Sequence, residues 1–132
     1  MSIELTLLIW SVALAIVQVL IAFVGTTLEF GVPDMPGGRE KLPPAESFSG
    51  RAQRASQNML ESLVLFAVLV LATEATNRNN ASTELGAEVF FAARVIYAAI
   101  AVVGLPWLRT AVWCVSMAAL LLMLTQLVVQ LT

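Results

Sequence analysis

The chain has no histidine, one cysteine and little charge of either sign. Without histidine, and with Cys114 alone, neither a structural zinc set nor an intrachain disulfide is expected. Charged residues make up 12% of the 132 residues, about half the share usual in soluble domains. The net charge is −2 and no basic cluster occurs, so no nucleic-acid partner is expected. No Lys or Arg precedes Arg39, and the first apolar run is longer than the core of a secretory leader, so a cleaved signal peptide is not expected. There is no nucleophile-elbow pattern and no phosphate loop, which leaves nothing for a hydrolase or ATPase reading.

What is present is apolar length. Hydrophobic residues make up 59% and the mean hydropathy is +0.88. The composition describes an integral, multi-pass membrane protein of a single domain, 1–132. Four spans are expected, over about 5–29, 53–75, 85–105 and 108–131, giving an all-α, four-helix transmembrane bundle. Gln18, strongly polar in mid-span one, is expected to make an interhelical hydrogen bond. Cys114 reads as a small buried hydrophobe. Residues 31–50, rich in Pro and Gly, form a long loop that either covers a site or is disordered. Glu74 and Arg78 are spaced for a weak surface ion pair. Asn80-Ala-Ser82 matches a glycosylation pattern too common to carry weight. Gly104-Leu-Pro106 predicts a tight turn between spans three and four.

The second span is the anomaly. Residues 62–73 supply only 12 uncharged positions, too few for a span of about 20. A crossing helix must therefore carry Glu61 and Asn58, with Arg54, into or near the hydrocarbon, where polar groups face a partner or a wet cavity. On a helix, Arg51, Arg54, Asn58 and Glu61 fall within about 80° of one another, a stripe about 15 Å long. Span three adds Arg94, with Tyr97 one turn on. Spans two and three are therefore expected to face inward, with one and four nearer lipid. Arg39, Lys41, Arg51, Arg54 and Arg109 lie on one side of the membrane and Arg78 on the other. The positive-inside rule then puts loop 31–50 in the cytoplasm and both termini outside.

Arg51, Arg54, Arg94 and Arg109 with one carboxylate, Glu61, suit a small ligand bearing carboxylates, which Arg binds bidentately. Asn58 can donate and accept, and Glu61 could take an amine or fix an arginine. Chemistry at such a site would most plausibly be thiol activation by Arg109, with Tyr97 as an alternative donor. A purely structural alternative pairs Glu61 with Arg94 and lets the other arginines snorkel.

Arg54-Ala-Ser-Gln57-Asn58-Met-Leu-Glu61 resembles the R-A-x-x-N-x-x-E signature on the second helix of the MAPEG family (membrane-associated proteins in eicosanoid and glutathione metabolism). Arg94-Val-Ile-Tyr97, with Gly104-Leu-Pro106-Trp-Leu-Arg109-Thr110, resembles its bacterial branch. The resemblance covers nearly the whole chain. It implies a homotrimer with glutathione bound between subunits near the cytoplasmic face of a bacterial inner membrane. It also implies Arg51, Arg54, Gln57, Asn58, Glu61, Arg94 and Tyr97 as glutathione-contacting positions, with Arg109 activating the thiol. Gln57 and Ala101 depart from the pattern, standing where other members carry arginine and tyrosine respectively. Span one also lacks an arginine at its cytoplasmic end, and Trp113 stands where a tyrosine is sometimes found.

Two functions follow from the resemblance. One is a glutathione-dependent transferase or peroxidase acting on lipophilic small molecules that enter from the membrane lipids. The other is a non-enzymatic relative that binds lipid or a partner protein. A proton-coupled exporter using Glu61 is a third class, but such exporters carry their glutamate in span one.

Overall fold

The computed structural model describes residues 1–30 and 47–131. They form four helices: α1 (Ile3–Phe30), α2 (Phe48–Ala75), α3 (Ala81–Val103) and α4 (Pro106–Leu131). All four are long and apolar enough to cross a membrane. The chain is an all-α, four-span, multi-pass membrane protein. Residues 31–46 lie outside the described residues, and with them the expected roles of the first loop and of Arg39 and Lys41. The end of the loop expected over 31–50 is instead helical, since Ser47 caps α2 and the helix starts at Phe48, before the expected 53.

All four helix starts, and the ends of α2 and α3, have a local cause. The Ser2 hydroxyl accepts from the Leu5 amide at 3.2 Å and opens α1. Ser47 caps α2 by accepting from the Gly50 amide at 3.0 Å. Asn80 and Thr83 form a reciprocal capping box at the start of α3. That box commits the Asn80 side chain to the fold. Gly104, at φ 88°, closes α3 in the left-handed region that glycine adopts without strain. Pro106 then starts α4, where its missing N–H costs nothing. The turn is the one the sequence predicts. By contrast, Glu74 and Arg78 do not pair, because α2 stops at Ala75 and Asn77 turns the chain at φ 54°. Glu74 instead accepts from Ser2 and Asn79, and Arg78 reaches the Leu127 carbonyl.

In cross-section α1 lies against α2 and α3, and α4 against α3 and α2. Helices α2 and α3 also touch each other, whereas α1 and α4 occupy opposite corners. As expected, α3 is the most enclosed span and α4 the least. Helix α1 is the exception, since it is buried as much as α2. Its inner face runs Glu4, Leu8, Ser11, Ala15, Gln18, Ala22, a three-to-four-residue spacing that keeps one side on the bundle. The core centres on Phe66 and Phe90, stacked at 4.3 Å, with Leu8, Val70, Leu120 and Met123 around them. Cys114 is exposed, contrary to the buried place expected for it, because it falls on the outer side of the least enclosed helix.

Three polar residues seven apart, Glu4, Ser11 and Gln18, are buried along α1. Among the described residues, the interhelical hydrogen bond expected of Gln18 is not made. Its Oε1 and the Ser11 Oγ are buried with no partner among the described residues. Removing such an orphan relieves a desolvation penalty of about 1–3 kcal/mol. Ser11→Ala is therefore expected to raise stability by about 1 kcal/mol in reversible detergent unfolding. Gly86 marks a close α3–α4 approach: a Cβ there would stand 2.6 Å from Met123 Cγ and 3.1 Å from the Ala119 carbonyl oxygen. The Met side chain can yield, but backbone cannot. Gly86→Ala is expected to lose about 1 kcal/mol net, since overpacking of about 1–3 kcal/mol exceeds the helix-propensity gain. The same unfolding measurement checks it.

Candidate functional site

Helix α2 carries most of the polar stripe. Its buried face centres on Met59 and Phe66. At 100° per residue, Asn58 sits about 90° round from that centre, at its edge, while Arg54, Gln57 and Glu61 lie about 130–170° round. Their exposures follow. Asn58 is half-buried, and Arg54, Gln57 and Glu61 are exposed on the outside of the protomer. The Arg54 Nη1 donates to the Gly50 carbonyl one turn back, at 3.1 Å. Helix α2 is about 42 Å long at 1.5 Å per residue, and Glu61 stands roughly 20 Å along it. A carboxylate is thus displayed near mid-span on the outer surface of a single chain.

Arg94 faces the other way. It is 1% exposed and its Nη2 donates to Asn58 Oδ1 at 2.8 Å. Its guanidinium carbon lies 4.4 Å from the centre of the Tyr97 ring, a cation–π contact one helical turn away. Its Nε and Nη1 are buried without a hydrogen-bond partner among the described residues. The structural alternative, Glu61 paired with Arg94, is not formed. Arg94 reaches the edge of α2's buried face, where Asn58 stands, and Glu61 lies well around the helix from it.

Tyr97 is buried against Ala55 and Ala101, with Val112 of α4 packed on them. This small cluster joins α2, α3 and α4 immediately beside Asn58 and Arg94 in sequence. Nearer the helix ends, Cδ and Nε of Arg51 lie 3.4 Å from where a Cβ on Gly104 would stand. That contact lays the start of α2 on the α3–α4 turn. Arg109, half-buried in the first turn of α4, is thereby held at the same end of the bundle as Arg51 and Arg54. Ala101 is closed in by packing and is 2% exposed.

Sequence reasoning missed Glu4. Helix α1 begins before the expected span and carries this residue, fully buried, into the bundle. Its Oε2 accepts from Asn79 at 2.7 Å and from Thr83 at 2.8 Å, tying α1 to the α2–α3 turn at the end opposite Arg109. The seven-residue spacing of Glu4, Ser11 and Gln18 is the signal that could have found it.

The Arg94–Asn58 contact yields a double-mutant prediction. Asn58→Leu strips the buried guanidinium of its hydrogen bond and should destabilise by about 3 kcal/mol, the scale for an uncompensated buried charge. Adding Arg94→Met should recover most of that loss, because two apolar groups then pack where one charge was stranded. Thermal unfolding of both variants measures it.

The sequence profile of the MAPEG family matches residues 7–129, nearly the whole chain. No curated protein and no solved structure matches it. Four apolar spans, the stripe on α2, the buried arginine on α3 and this match over almost the full length have one meaning: the chain belongs to the MAPEG family.

Proposed function

We propose that the protein is a membrane-bound, glutathione-dependent transferase or peroxidase acting on lipophilic electrophiles in the cytoplasmic half of the bilayer. One observation supports this above the others: Arg54, Gln57 and Glu61 are exposed on α2 beside the half-buried Asn58, with Glu61 near mid-span. A carboxylate turned to lipid near the bilayer centre costs about 2.5–3.5 kcal/mol on insertion scales. Something polar must cover it. A homotrimer with its ligand between subunits supplies both cover and counter-charge.

The residues fit the ligand. Glutathione has two carboxylates, one ammonium and peptide carbonyls. Arg54 offers a guanidinium fork for a carboxylate. Asn58, its oxygen taken by Arg94, has an amide nitrogen left to donate. Glu61 suits the ammonium, and Gln57 can donate or accept beside them. Glutathione supplies a thiol whose thiolate form attacks electrophiles. At the same end of the bundle, Arg109 provides a fixed positive charge that favours the thiolate over the thiol. Arg51, anchored on the α3–α4 turn, adds to the positive field there. Tyr97 acts as packing beneath Arg94 and keeps that guanidinium in place. The basic residues Arg51, Arg54 and Arg109 share this end, which supports a cytoplasmic site with both termini outside; the bacterial inner membrane rests on the family resemblance alone.

A second reading, a non-enzymatic lipid-binding or partner-binding member of the family, draws support from Ala101. It closes the space beside Tyr97 with a methyl group and supplies no hydroxyl there.

Ultraviolet difference spectra separate the two. Purified protein given millimolar glutathione should develop thiolate absorbance. Arg109→Ala should retain binding but lose that signal, with turnover down on the order of a hundredfold. No binding and no thiolate at millimolar glutathione would end the enzymatic reading. A melting point raised by lipids and unmoved by glutathione would favour the other.

A further inference from the structure

The Arg94–Asn58 hydrogen bond has a chemical direction. Arginine carries five N–H donors and no acceptor, so whichever way a carboxamide is drawn, the atom facing a guanidinium must be its oxygen. Arg94 is buried, and Asn58 Oδ1 is its sole hydrogen-bond acceptor among the described residues. Turning the Asn58 amide over would bring an N–H against an N–H and leave the buried cation with none. The Tyr97 ring closes off one face of the guanidinium, so Arg94 itself is held in place. The Asn58 Nδ2 remains. It has no partner among the described residues and is not among the buried unpaired atoms. Helical geometry puts Asn58 one turn from both Arg54 and Glu61, between the core and the exposed stripe.

We propose that Arg94 is a positioning residue: it locks the Asn58 amide with its NH2 group outward, so that this position reads only hydrogen-bond acceptors on the ligand. This rests on the glutathione site proposed above and deepens it. An asparagine free to flip would accept a ligand's ammonium or hydroxyl as readily as it donates to a carboxylate or carbonyl. A locked one discriminates. Arg54 and Asn58 then form a donor-only pair one turn apart, and Glu61 is left as the anionic acceptor of the stripe. The stripe is thereby polarised along α2, with sites for acceptor groups toward the helix start and a site for a cation beyond them. A ligand with an anionic and a cationic end is accepted in one orientation.

The test uses the full-length protein in nanodiscs with glutathione as the probe. Asn58→Asp keeps an oxygen for Arg94, now charged, but turns an acceptor toward the ligand in place of a donor. Its melting midpoint should equal or exceed that of wild type, while calorimetry should show glutathione affinity at least tenfold weaker. A purely structural Arg94 would not split kinetic constants, so two further variants are informative. Arg94→Gln, which can donate and accept, frees the amide to flip. It should raise KM for glutathione severalfold with kcat at saturation little changed. Arg94→Lys, again donor-only, should restore KM toward wild type. Wild-type affinity in Asn58→Asp would overturn the lock, and so would a midpoint well below wild type. If wild type itself binds no glutathione, the proposed function fails first and takes this inference with it. Failure of the lock alone leaves wild-type binding intact.

Discussion

A cation enclosed among membrane-spanning helices must find its hydrogen bonds within the protein or its assembly, and the site is arranged around that requirement. Arg94 meets it in part, with one amide oxygen and one aromatic face, while its Nε and Nη1 have no hydrogen-bond partner among the described residues. The oxygen and the ring both come from within reach of a single side chain: Asn58 from the edge of α2, and Tyr97 from the next turn of α3. Phe66 and Phe90 stack deeper in the bundle and hold α2 against α3 at the same interface. Since Asn58 is consumed on one side by Arg94, the side it shows outward is determined as well. The fold and the proposed recognition site thus meet in a single hydrogen bond.

The bundle also separates its polar groups by purpose. At the end opposite Arg109, Glu4, Glu74, Asn79 and Thr83 bond to one another and fasten the helix ends. From the other end toward mid-span, Arg54, Gln57 and Glu61 are turned outward on the surface of the single chain. A single copy that exposes a carboxylate near mid-span is poorly suited to lipid, which is a physical reason for self-association independent of any family likeness. The small residues Gly86, Ala87 and Ala93 bring α3 close to its neighbours, consistent with packing, rather than an aqueous driving force, holding membrane helices together.

Burial did not follow polarity in any simple way. Glu4, Ser11 and Gln18 are inside, while Cys114 and most large apolar side chains of α4 are outside. In a bilayer this is the expected inversion, because lipid removes the penalty for exposing leucine and adds one for exposing glutamate. The oxygens of Ser11 and Gln18 that find no partner among the described residues are a cost carried along α1.

Apolar run lengths, the Gly104–Pro106 turn and the shortage of charge were enough to determine four spans and a bundle, because a helix that crosses lipid has few alternatives. The spacing of Arg54, Asn58 and Glu61 was enough to put them on one stripe and to mark the family. Partner choice could not be read this way. Arg94 bonds to Asn58 and not to Glu61 because the rotation of α2 about its own axis, set by packing on Met59 and Phe66, brings one to the interface and carries the other away. The burial of Glu4 likewise depended on where the α2–α3 turn came to rest, since only there do Asn79 and Thr83 meet it. Periodicity determines which residues share a face; only the packed helices decide what that face meets.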